Sequence, residues 1–193
     1  MSALLTNENG CRWPAQASCF APTAHFDTIG LDQANDALVR WGHKMGAWRR
    51  PTFRRWCHGL FVNGELVAVA IAGDLIRRRV AGFERHEALE LGRLCASRPK
   101  LCRIILRLWR ELVFPGLCAT YGWSWVVSYQ DRQEHTGDLY RGDGWACIAR
   151  SRSGTDARSG AIGRDKNIWA WSLAGEPRRR WRERQAAVVP EAA

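Results

Sequence analysis

ALELGRLCASRPKLCRIILRLWRELVF, residues 88–114, decides the fold. Its first part, Ala88 to Ala96, sets Leu89, Leu91 and Leu94 against Glu90 and Arg93, as a strand does. Ser97 is a predicted N-cap for a helix from about Arg98 to Phe114. Leu101, Ile104, Ile105, Leu108 and Leu112 recur there at helical spacing, with Arg103, Arg107 and Arg110 on another face. Trp125 to Tyr129 then predicts a second strand. Strand, long helix and strand in succession predict a crossover at the centre of a sheet.

Outward from this centre the signals are mostly antiparallel. Cys57 to Val62 and Glu65 to Ala72 flank Asn63-Gly64, the preferred pair for a type I′ hairpin. Leu66 to Ala72 is apolar throughout, as in a strand covered on both faces. Phe26 to Ile29 predicts a short strand, and Asp32 opens a helix with Ala34, Leu38 and Trp41 on one face. Residues 74–86 read as a loop or short helix, Thr136 to Arg141 as a short helix, and Trp145 to Ala149 and Asn167 to Leu173 as strands. The expected fold class is α/β (α+β): a mixed, mostly antiparallel sheet with a central strand-helix-strand crossover and helices on both faces. One domain over 25–174 is expected, after an irregular arm at 1–24 and before a basic tail at 175–193, disordered in isolation.

The chain has 193 residues, enough for one full core, and a formal charge of +10. Of its 29 basic residues three are Lys, so the excess is guanidinium, which pairs bidentately with phosphate and stacks on bases. This favours a nucleic-acid partner; a GC-rich genome explains Arg for Lys but not the surplus of cations. The 7 Cys are dispersed with no CxxC pair, against a disulfide framework or zinc ribbon, and Cys95 and Cys147 read as small core residues. With no signal peptide or spanning segment legible, a cytoplasmic protein is expected, without a membrane partner.

Candidate chemistry gathers after the strand that ends Val126-Val127-Ser128-Tyr129-Gln130-Asp131. Asp131 and His135 are four residues apart, so the carboxylate can orient the imidazole, accept a proton or bind a metal. A loop Asp capping the next turn beside a solvated His is the plainer alternative. Glu90 and Arg93, three apart on one strand, point to opposite faces unless a bulge intervenes. Arg49, Arg50, Arg54, Arg55, Arg77, Arg78 and Arg79 are candidate phosphate contacts, with Trp48 and Trp56 as stacking partners or wedges for an extruded base. Solvated basic loops with core-anchored Trp are the alternative.

Glu90-Leu91-Gly92-Arg93-Leu94, Val127 to Asp131, His135-Thr136-Gly137-Asp138-Leu139-Tyr140-Arg141 and Gly144-Trp145 together resemble the Mom proteins of Mu-like phages. The resemblance implies a GNAT-like fold and conversion of adenine in double-stranded DNA to an N6-carbamoylmethyl form that protects phage DNA from restriction. It implies a phage- or prophage-encoded protein in a bacterial host. It implies catalytic roles for Asp131, His135, Ser128, Tyr129, Arg93 and His43, with Tyr140 at the place where GNAT enzymes keep a general acid. His43, His135 and Asp131 would be the ligand types of a two-His, one-carboxylate iron site. Leu94, Cys95, Arg98, Lys100 and Arg103 would face the donor cofactor. The Gly-rich pyrophosphate loop of GNAT enzymes is replaced by Ala96-Ser97-Arg98-Pro99-Lys100, which puts ordinary acetyl-CoA binding in doubt. The competing expectations are a GNAT N-acyltransferase acting on a small amine or protein, and a non-catalytic nucleic-acid-binding protein.

Overall fold

The computed structural model describes residues 4–6, 12–14, 23–50, 54–151 and 165–188. A short pair, β1 (Leu4–Thr6) and β2 (Arg12–Pro14), precedes β3 (Ala24–Thr28), α1 (Leu31–Arg40) and the hairpin β4 (Arg55–Val62) and β5 (Glu65–Asp74). A small hairpin, β6 (Arg79–Val80) and β7 (Phe83–Glu84), leads to β8 (Ala88–Ala96). Then come α2 (Leu101–Leu108), a π-helical turn (Trp109–Val113), α3 (Phe114–Tyr121) and β9 (Trp125–Asp131). The chain continues through α4 (Asp138–Gly142), β10 (Ala146–Ser151), β11 (Lys166–Ser172) and α5 (Pro177–Val188).

Seven strands form one sheet in the order β10-β11-β9-β8-β5-β4-β3. Only β8 and β9 run parallel; every other neighbouring pair in this sheet is antiparallel. The expected fold class holds. At the hairpin, Asn63 and Gly64 both take positive φ, 52° and 81°, as a type I′ turn requires. β5 is buried on both sides: Ala68, Ala70 and Ala72 pack with the α2–α3 helix, Val69 and Ile71 with Ala34, Ala37 and Leu38 of α1. That double burial explains its unbroken apolar run.

Two devices shift the phase of these elements. In β8 the ladder to β5 jumps from Ile71↔Arg93 to Ala72↔Leu91, so Gly92 is the extra residue of a bulge. The bulge returns Arg93 to the face of Glu90. In the long helix, the buried apolar positions are Ile105, Leu106, Trp109, Phe114, Leu117 and Cys118. The step from Trp109 to Phe114 is five residues, the span of the π turn. The expected seam holds at Leu101, Ile105 and Leu108 and fails at Leu112, 65% exposed inside that turn, and at Ile104, 48% exposed before it. Ser97 is not the cap either; Lys100 precedes the first turn and no side chain caps it.

In the tail, expected to be disordered in isolation, Pro177–Val188 is helical and docked. α5 lies on β10 and β11, Trp181 packs against Phe83, and Arg184 makes a forked ion pair with Glu87. In the arm expected to be irregular, β1 pairs with β2. Residues 74–86 hold the β6–β7 hairpin, not a helix. Cys147 is exposed, on edge strand β10, and not a core residue. No helix among the described residues is long and apolar enough to cross a membrane.

Candidate functional site

The sheet opens at its centre. β8 and β9 pair only from Ala88↔Trp125 to Leu91↔Ser128, although β8 runs on to Ala96 beside β5 and β9 to Asp131 beside β11. The Gly92 bulge lies just past the last pair and turns β8 away. Side chains close the vertex. The Ser128 hydroxyl donates to the Leu91 carbonyl at 2.8 Å, and its oxygen lies 2.8 Å from the Tyr140 hydroxyl. A serine has one proton and a carbonyl can only accept, so Tyr140 is the donor to Ser128.

Tyr140 is held there by aromatic packing. Its ring stacks on Trp169 with centroids 5.6 Å apart and meets Trp145 edge-on at 5.4 Å. Gly137 starts α4 at φ 84°, and a Cβ there would lie 2.8 Å from Trp169 and 2.9 Å from the Gln130 side chain. Burial pushes the Tyr140 phenol up to about 12, opposed by the Ser128 hydrogen bond and assisted by Cys102. The phenol therefore keeps its proton at neutral pH.

The opposite face of the split carries a second group. Arg50 Nη1 donates to Glu90 Oε1 at 2.9 Å, with side-chain exposures of 15% and 2%. Among the described residues Glu90 Oε2 is buried without a hydrogen bond. Both Arg50 and Arg93 lie over the Trp48 indole, at 4.5 and 5.4 Å. Arg93 donates to the carbonyls of Gly46 and Gly92, and burial, then repulsion from Arg50, lowers its pKa to about 10. Tyr129 belongs to this face, since strand residues alternate; burial, then Glu90, raises its phenol to about 12.

The expected constellation is thus divided. Ser128 and Tyr140 meet on one face; Tyr129, Arg93 and, by alternation, Asp131 lie on the other. Asp131 Oδ1 accepts from the Gln133 amide at 3.0 Å, a turn-capping role. His135 is exposed and uses its backbone: its amide donates to the Asp131 carbonyl, and its carbonyl accepts from Gln130. The loop of His43 approaches this turn through an ion pair from Lys44 to Glu134. Even so, no group of three or more His, Cys, Asp or Glu among the described residues is placed to hold a metal ion, so the iron triad of His43, Asp131 and His135 is not assembled.

Several proposed DNA contacts have structural work instead. Trp48 is 2% exposed, wedged against Gly73 and Gly92, and is no free wedge for a base. Trp56 packs in a cluster, tilted against Tyr121 and edge-on to Trp123. Arg50 is committed to Glu90, Arg54 to Asp74, and Arg78 and Arg79 to Glu84. Arg49, Arg55 and Arg77 are exposed.

At the donor end, Leu94 and Cys95 line the opened edge of β8 half-buried, and Arg98 and Lys100 are exposed. Pro99 has no amide proton, and the amides of Leu101 and Cys102 close a local turn onto the carbonyls of Arg98 and Pro99. These amides are therefore turned onto the chain itself, and the exposed groups at this end are the two cations. Arg103 is not at this end: its guanidinium lies over Gly142 and reaches the Asp138 carbonyl at 3.5 Å.

The sequence reading missed Asp143. Its enclosed carboxylate accepts from Arg107 at 3.0 Å, Arg110 at 2.9 Å and the Trp145 indole at 3.1 Å, tying the long helix to the α4–β10 turn. The Arg face of the helix was the signal, because buried guanidiniums require a counter-charge.

No family model and no curated protein sequence matches the chain. Solved structures do. The ribosomal-protein-S18-alanine N-acetyltransferase of Escherichia coli superposes with TM-score 0.53 at 17% identity, covering 80% of this chain and 97% of that one. NAA60 of Arabidopsis thaliana, solved with acetyl-CoA, gives 0.55 at 12%, covering 79% and 100%. An N-acetyltransferase of Staphylococcus aureus gives 0.55 at 7%, covering 79% and 99%. With its mixed sheet, single parallel pair and central split, the chain has the fold of the GNAT N-acetyltransferases.

Proposed function

We propose that the protein is a GNAT-type transferase passing an acyl-derived group from a thioester donor to an amino nitrogen at the β8–β9 split. The hydrogen-bonded chain from Tyr140 through Ser128 to the Leu91 carbonyl, at the vertex of that split, carries the reading. A thioester supplies an activated carbonyl and a thiolate leaving group. Tyr140 stays protonated at neutral pH and can turn its proton from Ser128 to a departing anion, Ser128 then turning its own proton from Leu91 to the phenolate. Ser128 holds the phenol in place and, through Leu91, fixes it to the last paired residues of the sheet. On the other face, Glu90 Oε2 has no hydrogen bond among the described residues and accepts one from the incoming amine.

For the acceptor we propose adenine N6 in DNA. The charge of +10 and the motifs shared with the Mom proteins support this reading. Co-expression with a plasmid, digestion and mass spectrometry of the nucleosides test it. An adenosine of added mass is expected, lost in Tyr140→Phe by a factor of about 10²–10⁴ while the thermal midpoint is kept. Unmodified nucleosides alongside acylated peptides or small amines would remove DNA and leave the transferase. Full activity in Tyr140→Phe would remove the proton relay.

A further inference from the structure

A cavity of about 390 Å³ opens between α5, the α4 end and strands β10 and β11, lined by Arg141, Arg178, Arg182, Trp181, Trp169 and Cys147, with Ala146 and Asn167 completing the wall. Three guanidiniums border it and, among the described residues, no carboxylate does. Arg178 and Arg182 are four apart on α5 and so share a face. Their neighbours differ: Arg179 pairs with Glu176 and Glu183, and Arg180 with Glu183. Arg141 is held by Asp138, but among the described residues no acidic side chain pairs with Arg178 or Arg182. Like charges gathered round one cavity repel unless an anion sits between them.

We infer that this cavity binds a nucleotide unit of a nucleic-acid strand, the phosphate ester on Arg141, Arg178 and Arg182 and the base against an indole. The chemistry selects this ligand class. Guanidinium forks match phosphate oxygens, Trp supplies a π-face for any base, and the volume lies at the small end of ligand sites. The cavity is one ring away from the vertex of the split, because Trp169 both lines it and stacks on Tyr140. A strand anchored on α5 is thereby led toward Tyr140. The inference rests on the nucleic-acid side of the proposed function, yet its binding test needs no donor and no turnover.

Anisotropy of labelled single-stranded and duplex oligonucleotides, titrated with the full chain, tests it. The double variant Arg178→Ala/Arg182→Ala should weaken binding at least tenfold and lower the salt slope by about 2. Arg179→Ala/Arg180→Ala removes the same charge from the same helix outside the cavity and should change affinity less than threefold. Equal loss in the two variants, or none in either, would overturn the site. Cys147 gives a second readout: nucleic acid should slow its alkylation in the parent and not in Arg178→Ala/Arg182→Ala. Competition by free adenosine monophosphate would show that one nucleotide suffices; displacement only by strands would show that the polymer is required. Transferase activity on peptides with no oligonucleotide binding would sink this site and spare the chemistry of the split.

Discussion

Gly92 shows how much one residue decides. A Cβ at this position would lie 2.5 Å from Trp48 Cζ3 and 2.9 Å from Glu90 Oε1. Gly92→Ala should therefore cost about 1–3 kcal/mol of stability, read as a lower denaturant midpoint. Charged residues three apart on a strand normally face opposite ways, and the sequence had no means of showing that Gly92 is extra. The Glu90–Arg93 face was legible only as a condition on a bulge. His58 is a second residue-scale case. Burial against Phe26 lowers its pKa from 6.5, and Asp27 only partly opposes this. The unfolded chain thus binds a proton that the native chain resists, so stability should be full above about pH 7 and fall as the pH drops below 6.5. His58→Leu should flatten the dependence between about pH 7 and 5 in urea titrations; an unchanged slope would assign it to other groups.

Among the elements, the α2–α3 helix separates what the sequence says from what it hides. Its existence, place and Arg face were legible, because apolar periodicity announces a helix whatever its exact winding. Which residues face the core beyond Trp109 was not, because the turn at Trp109–Val113 takes an additional residue and rotates everything after it. The same helix is anchored by Asp143, whose carboxylate is enclosed among Arg107, Arg110 and the Trp145 indole. Asp143→Ala leaves a nearly buried Arg110 with only the exposed carboxylate of Glu111, and the Trp145 indole without its acceptor, and should cost about 3–5 kcal/mol, seen in the thermal midpoint. In the site, Tyr140 and Ser128 were legible from their motifs. Their separation from Asp131 was not, since strand alternation assigns faces only once the register is known.

For the whole molecule, the charge of +10 resolves into two populations. Many guanidiniums hold the structure together: Arg54 on Asp74, Arg110 on Asp143, Arg184 on Glu87. Among the described residues a smaller set faces solvent without such a partner, and α5 presents part of it. Composition alone cannot sort the two, which is why the tail read as a solvated basic run. Removing residues from Pro177 onward should uncover Phe83, take away the Arg184–Glu87 fork and lower the melting temperature by several degrees. A truncated chain melting with the parent would show that α5 contributes nothing to the core.

The split between β8 and β9 has a consequence for the backbone itself. Past Leu91 and Ser128, two strands of one sheet run on without each other, so part of the ladder's hydrogen-bonding capacity is left to whatever enters. On the proposed function, a donor arm lying there would act as a missing strand and complete the sheet in the way an added peptide completes an exposed edge. Binding should then be felt as protection. Amide hydrogen exchange over Arg93–Ala96 and Tyr129–Asp131 should slow when the donor binds, while β3 and β4, at the far edge, should exchange as before.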